Sequence, residues 1–261
     1  MTTDTSAAGG ARTDANRLRP LAAQTGAEIY MTLRRGETLL LTLGIPVVFL
    51  LFFSKVNVVS TPTATPANFF VPGILSLAVM STAMVSLGIA TGFERGYGVL
   101  KRLGATPLGR PRLLGAKIVT IIAVELVQAA VLLPVGLALG WNPGGGGSVA
   151  IGGAIGAILL GSTAFAGIGL FMAGTLRAEV NLAAANGLYL ILLLLGGMVV
   201  PISKLPSGLA DFAKLLPAEA LSAALHATLG QGVAVPGESW AVLAVWAVAA
   251  PVAAALTFRW E

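Results

Sequence analysis

The chain has 261 residues, of which 56% are hydrophobic and only 10% are charged, and its mean hydropathy is +0.88. A soluble protein cannot cover its surface with so few charges, so this composition argues against a soluble fold and favours an integral membrane protein. The sequence lacks cysteine, which excludes disulfides, thiolate catalysis and cysteine-ligated metal sites.

The first 36 residues precede any apolar run long enough to cross a membrane. Residues 1–16 are small and polar and lack the apolar core of a signal peptide, so they predict a disordered cytoplasmic tail. In residues 17–36, Leu18, Leu21, Ile29 and Leu33 share one helical face. This periodicity predicts a helix in the cytoplasmic membrane interface, and the alternative is a basic flank that only fixes topology.

Six apolar runs, each near the length of about 20 residues that crosses a bilayer, predict an all-α membrane protein with six transmembrane helices. They cover residues 38–54, 69–92, 118–141, 149–176, 182–200 and 239–258. The fourth run carries Gly152, Gly156, Gly161 and Gly169 at small-residue spacing. This pattern predicts close helix packing within the subunit, with a dimer face as the alternative.

The basic residues predict the orientation. With the N-terminus inside, only Lys55, Lys204 and Lys214 of the 16 lysines and arginines fall in outer segments. The positive-inside rule therefore predicts a multi-pass protein of the cytoplasmic membrane with both termini in the cytoplasm. Because these charges flank spans, they indicate contact with membrane lipids and no nucleic acid partner.

The outer segment 201–238 is longer than a simple loop. It predicts two short amphipathic helices broken at Pro217, which would lie on the outer surface or dip between the spans as a hairpin. His226, the only histidine, falls in this segment. A lone imidazole without an obvious partner favours a packing or surface role over catalysis.

Glu125 is the one acidic residue well inside a predicted span, and Gln128 follows one turn later on the same face. An acidic residue at this depth costs about 2.5–3.5 kcal/mol unless it is paired or hydrated. One hypothesis places Glu125 and Gln128 on the substrate pathway. The alternative, which a single acid favours, is a structural hydrogen bond to Gln128 or to a neighbouring span.

The sequence contains none of the motifs that would supply an energy source or a catalytic centre. It has no Walker A loop, no HExxH zinc motif and no GxSxG nucleophile motif. We therefore expect a non-catalytic chain without a metal or cofactor of its own. If the protein pumps its substrate, another chain must supply the energy.

The loop over residues 93–117 carries a small basic motif between the second and third spans. Val99, Leu100 and Leu103 would form an apolar stripe on a short helix that ends at Gly104 and Pro107. Such a helix fits a hydrophobic groove on another protein. The alternative is a helix on the lipid headgroups, with its basic side chains on phosphate.

This loop resembles that of the permease subunits of type-2 ABC exporters, in the drug- and lipid-exporting branch. The matching residues are Glu94 and Arg95, the run GVLKRL at 98–103, Thr106 and Pro107, and the tripeptide GAK at 115–117. The resemblance covers most of the chain and includes the interfacial helix, the six spans and the outer helical hairpin. It implies that the loop couples the permease to an ATPase through these residues: Glu94, Arg95, Gly98, Val99, Leu100, Lys101, Arg102, Leu103, Thr106 and Pro107.

The same resemblance implies a single permease domain over residues 17–261 that works in a larger complex. Two permease chains, identical or related, would combine with two copies of a separate ATPase subunit, which binds ATP and magnesium. The substrate would be a hydrophobic or amphiphilic molecule, such as a drug, a lipid or a glycolipid, moved outward. The alternative is a six-span secondary carrier, membrane enzyme or structural subunit with no ATPase. A carrier usually has several intramembrane charges, whereas this sequence predicts only Glu125.

Overall fold

The structure of the protein is a computed structural model that describes residues 36–56, 61–63, 65–100 and 110–258. The predicted tail, nearly all of the predicted interfacial helix and residues 101–109 of the loop lie outside this part. The described residues form helices and no strands, which confirms the predicted all-α fold.

Six long helices account for most of the chain: α1 Gly36–Lys55, α2 Pro66–Gly96, α3 Arg110–Ala138, α4 Gly147–Thr175, α5 Ala178–Leu195 and α8 Gly237–Thr257. Five of them are long and apolar enough to cross a membrane, and α1 adds the shorter apolar stretch Thr42–Lys55. The prediction of about six spans is thus confirmed. Within α2, a π-helical turn at Ser81–Ser86 separates Pro66–Met80 from Leu87–Gly96.

The segment between α5 and α8 contains two short helices, α6 Ser207–Ala213 and α7 Pro217–Leu225, followed by a π-helical turn at His226–Gly230. Pro217 is the first residue of α7, where its missing N–H and fixed φ suit a helix start. Leu221 of α7 packs on Gly161, at the middle of α4. The indole Nε1 of Trp246 in α8 donates to the carbonyl of Leu215, 2.9 Å away. The hairpin therefore dips between the spans, which is the second of the two predicted arrangements.

Helices α2 and α4 form the centre of the bundle, and α8 packs along α4. Phe70, Met84 and Phe165 are among the largest fully buried side chains. Two glycines of α4 permit close helix contacts: a Cβ at Gly156 would lie 2.6 Å from the Trp240 ring, and one at Gly169 would lie 2.6 Å from the carbonyl oxygen of Met84. Gly156, Gly161 and Gly169 thus serve packing within the subunit, as predicted, whereas a Cβ at Gly152 would meet nothing within 4 Å.

The loops 139–146 and 196–236 meet at one end of the bundle, which we call the hairpin end. The indole of Trp141 donates to the carbonyl of Leu229 at 2.8 Å, and a Cβ on Gly146 would lie 2.0 Å from the carbonyl oxygen of Gly232. The opposite end, which we call the loop end, contains the last turn of α2, the first turns of α3 and the turn between α4 and α5. The two ends therefore separate the predicted coupling loop from the hairpin.

Candidate functional site

Glu94, the first residue of the motif in the predicted coupling loop, lies in the last turns of α2 at the loop end. Its Oε2 is 2.7 Å from Nζ of Lys117 in α3, and the Lys117 side chain is only 7% exposed. The Glu94 side chain is 34% exposed, so solvent screens this pair less than a fully exposed pair but does not leave it unscreened. The pair connects α2 to α3.

Arg95 connects α2 to a different part of the bundle. Its guanidinium donates to the carbonyl of Gly174, 2.5 Å away, and to that of Leu176. These carbonyls lie where α4 ends and the chain turns into α5, and a helix leaves its last carbonyls without partners from its own backbone. A cation at a helix C-terminus also interacts favourably with the helix dipole. Arg95 therefore holds the turn between α4 and α5 against α2.

The rest of the motif leaves the helix at Gly98, whose φ of +71° suits a glycine that ends a helix. Val99 is 37% exposed, whereas Leu100 is 1% exposed and packs inside the chain. Lys101, Arg102, Leu103, Thr106 and Pro107 lie outside the described residues. Leu100 therefore does not belong to an open surface in this conformation, and a docking role for the loop stays a prediction.

Glu125 and Gln128, the two predicted pathway residues in α3, are both buried inside the chain, at 4% and 1% exposure. Gln128 accepts from the Thr82 hydroxyl, 3.2 Å away in α2, and donates to the carbonyl of Thr42, 3.1 Å away in α1. Glu125 Oε2 lies 2.5 Å from the Ser162 hydroxyl of α4. The two side chains therefore link α3 to three neighbouring helices, which favours the structural hypothesis for Glu125.

The Ser162 hydroxyl carries one proton and lies close to two oxygens. It is 2.5 Å from Oε2 of Glu125 and 2.7 Å from the carbonyl oxygen of Ile158. The carbonyl oxygen of Ile158 can only accept a hydrogen bond. When the Ser162 hydroxyl donates to it, a protonated Glu125 can donate its own proton to the serine oxygen. The pair can thus join α3 to α4 with the carboxyl neutral.

Asn181 makes a polar contact that the sequence analysis did not predict. It is fully buried in the first turn of α5, and its Nδ2 donates to the carbonyl of Gly88 in α2 at 2.8 Å. A Cβ on Gly92 would lie 2.7 Å from the same nitrogen, so the amide needs this glycine. The only sign of this contact in the sequence is a single amide side chain near the start of an apolar run.

His226 connects the hairpin to the start of α2. Its Nε2 lies 3.0 Å from the carbonyl oxygen of Phe69, and its ring centroid lies 4.6 Å from that of the Phe69 side chain. On the other side, Nδ1 is 2.8 Å from the carbonyl oxygen of Ser222. Burial lowers the pKa of His226, and the hydrogen bonds to these two carbonyls act in the opposite direction. This placement shows the packing role that the lone histidine predicted.

A cavity of about 430 Å³ lies between α4, α5, α7 and α8. Its walls are entirely apolar and include Phe171, Leu188, Leu192, Trp246 and Ala250. Its volume is within the range of about 300–1,000 Å³ that small-molecule sites occupy, and its walls can accept only an apolar group.

Comparison with known proteins agrees with this architecture. A family model described as ABC-2 type transporter matches residues 22–229, which is most of the chain and includes the loop, five of the long helices and the two short helices α6 and α7. No curated protein matches the chain significantly. The chain therefore belongs to the ABC-2 type transporter family and is the multi-pass membrane permease of an ABC transporter.

Proposed function

We propose that this permease exports a hydrophobic or amphiphilic molecule, such as a drug, a lipid or a glycolipid, across the cytoplasmic membrane. Two permease chains, identical or related, enclose the substrate path. Two copies of a separate ATPase subunit bind ATP and magnesium and dock on the loop end, which faces the cytoplasm together with both termini. The observation that carries the proposal is an exposed amide, Asn186, at the middle of α5.

Of the five helices that are long and apolar enough to cross a membrane, α5 has the smallest buried share, 17%. Its exposed face carries Ala183, Asn186, Gly187, Leu190 and Leu194. The Nδ2 of Asn186 donates to the carbonyl of Leu182 in the same helix, 2.8 Å away, and the side chain is otherwise exposed. A polar side chain at mid-span is unfavourable against lipid and usually faces protein or a hydrated cavity. Ala183 and Gly187 are small residues four apart, which lets a second helix approach closely. This face therefore suits a second permease chain with the substrate path alongside it.

The apolar character of the substrate has separate support. The cavity beside α5 is lined only by apolar side chains, and Glu125 is buried against Ser162 and therefore does not face a path for a cationic substrate. A hydrophobic or amphiphilic molecule fits an apolar cavity and needs no acidic partner, so it can pass without an unpaired charge in the membrane.

Disulfide cross-linking tests the interface, because the native chain has no cysteine. Gly187→Cys should form a disulfide-linked permease dimer under mild oxidation. Val245→Cys, at another exposed position (65%) in α8, is the control and should stay monomeric. Cross-linking at position 245 without cross-linking at 187 would place the interface elsewhere.

Docking of the ATPase is tested by co-purification. Val99→Asp puts a charge on the exposed apolar side chain of the loop and should release the ATPase. Leu209→Asp, at a similarly exposed position (41%) at the hairpin end, should retain it. If both variants retain the ATPase, Val99 is not part of the docking surface and the headgroup hypothesis for the loop gains support.

Transport is tested with the co-purified complex in proteoliposomes. A fluorescent phospholipid and ethidium serve as a lipid probe and a drug probe. ATP should drive the movement of at least one of them, and removal of the ATPase should abolish it. Movement driven by an ion gradient without the ATPase would favour a secondary carrier.

A further inference from the structure

We propose that Glu94 and Arg95 are positioning residues for transport, which fasten the ATPase-docking loop to α3 and to the turn between α4 and α5. This inference rests on the proposed function, because it concerns how motion of the docked loop reaches the spans. Glu94 and Arg95 would then act inside the permease and would not contact the ATPase directly.

The first observation is their position. Glu94 and Arg95 are adjacent in the last turn of α2, which ends at Gly96, and the rest of the predicted coupling loop follows directly. On the α2 side, a force applied to the loop therefore enters the membrane domain through the turn that carries these two side chains.

The second observation is that the two side chains reach different elements. Glu94 pairs with Lys117, which lies where α3 enters the bundle. Arg95 donates to Gly174 and Leu176, at the end of α4 and in the turn before α5. Adjacent residues of one helix thus hold the loop ends of three other helices, so a displacement of α2 at this point displaces α3, α4 and α5 with it.

The third observation concerns stiffness. Glu94 and Lys117 form an ion pair in which the Lys117 side chain is largely removed from solvent. The two contacts of Arg95 are charge-assisted hydrogen bonds, which are shorter and stronger than neutral ones. The planar guanidinium of Arg95 also meets two carbonyls at once, which fixes its orientation, whereas an ammonium group would act as a point charge. Asn181 adds a further contact between α5 and α2 one to two turns deeper, through the carbonyl of Gly88.

The test measures the number of probe molecules transported per ATP hydrolysed, in proteoliposomes that contain the permease and its ATPase. Glu94→Gln and Arg95→Gln should lower this ratio at least about fivefold while the ATPase still co-purifies and hydrolyses ATP. Arg95→Lys should recover only part of the ratio. Glu238→Gln and Lys204→Gln remove charges of the same two signs at exposed positions of the hairpin end, far from the docking surface, and should leave the ratio unchanged.

A charge exchange separates coupling from mere stability. Glu94→Lys and Lys117→Glu should each lower the ratio, and the double variant should restore most of it, because the pair is re-formed with opposite polarity. The melting temperature of each variant is measured alongside. The proposal is overturned if the Gln variants keep the wild-type ratio. It is also overturned if the double exchange restores the melting temperature but not the ratio, or restores neither of them.

The proposed function can fail separately. If the wild-type chain neither retains an ATPase nor uses ATP, the exporter assignment is wrong before any variant is compared. If the wild-type complex transports and the Glu94 and Arg95 variants transport equally well per ATP, only the positioning role is wrong.

Discussion

Substitution of Gly169 tests how closely α2 and α4 must approach. In Gly169→Ala, the new Cβ would lie 2.6 Å from the carbonyl oxygen of Met84 and 3.2 Å from that of Ala83, both in the π-helical turn of α2. Both obstacles are backbone atoms, so no side-chain rotation relieves the contact. Gly152→Ala is the matched control in the same helix, because a Cβ there meets nothing within 4 Å.

The expected cost follows from this geometry. A carbon atom normally stays about 3.3 Å or more from a carbonyl oxygen, so the helices must separate by roughly 0.7 Å. Overpacking of this kind typically costs about 1–3 kcal/mol in the free energy of unfolding. Both variants gain the same helix propensity of alanine over glycine, about 1 kcal/mol, so the difference between them isolates the contact. At about 2–4 °C per kcal/mol for a chain of this size, Gly169→Ala should melt about 2–12 °C below Gly152→Ala.

Melting of the purified protein in detergent can be followed by the fluorescence of its 4 tryptophans. Gly152→Ala should melt at or slightly above the wild-type temperature, and Gly169→Ala should melt below both. If Gly169→Ala melts at or above the control, the two helices do not pack through this glycine, and the central contact of the bundle is wrong.

Three further predictions use the other contacts. Glu125→Gln should keep stability and transport, because an amide still pairs with Ser162, whereas Glu125→Leu should lose about 1–3 kcal/mol in the same melting assay; loss of transport in the Gln variant alone would return Glu125 to the substrate pathway. Because burial lowers the pKa of His226, the unfolded chain binds a proton more readily than the folded chain below about pH 6.5. Stability should therefore decrease as the pH falls from 7.5 to 5.5, and a slope that is as steep in His226→Gln would assign it to another group. Cysteine at Ser148 should react with an impermeant thiol reagent from outside and cysteine at Thr106 should not, since the basic residues predict that orientation; the reverse pattern would contradict it.

The sequence by itself determined the architecture of this protein to a large extent. A backbone in lipid must satisfy its own hydrogen bonds, so six apolar runs near the length of a span could hardly form anything but helices. Proline and glycine marked several boundaries for local reasons: Pro217 begins α7, and Gly98 has a positive φ two residues after the end of α2. These features depend on residues close together in the chain, which is why the sequence predicts them.

The tertiary structure alone decided which residues meet across the bundle. Glu125 and Gln128 share a face of α3, yet Glu125 contacts Ser162 of α4 and Gln128 contacts α1 and α2. Likewise, Arg95 reads in the sequence as a basic residue of a docking loop, but it binds carbonyls at the end of α4. Contacts of this kind depend on the rotation and depth of each helix. A helix that is apolar on all sides carries little pattern to specify either, so both are decided by the packing of its neighbours.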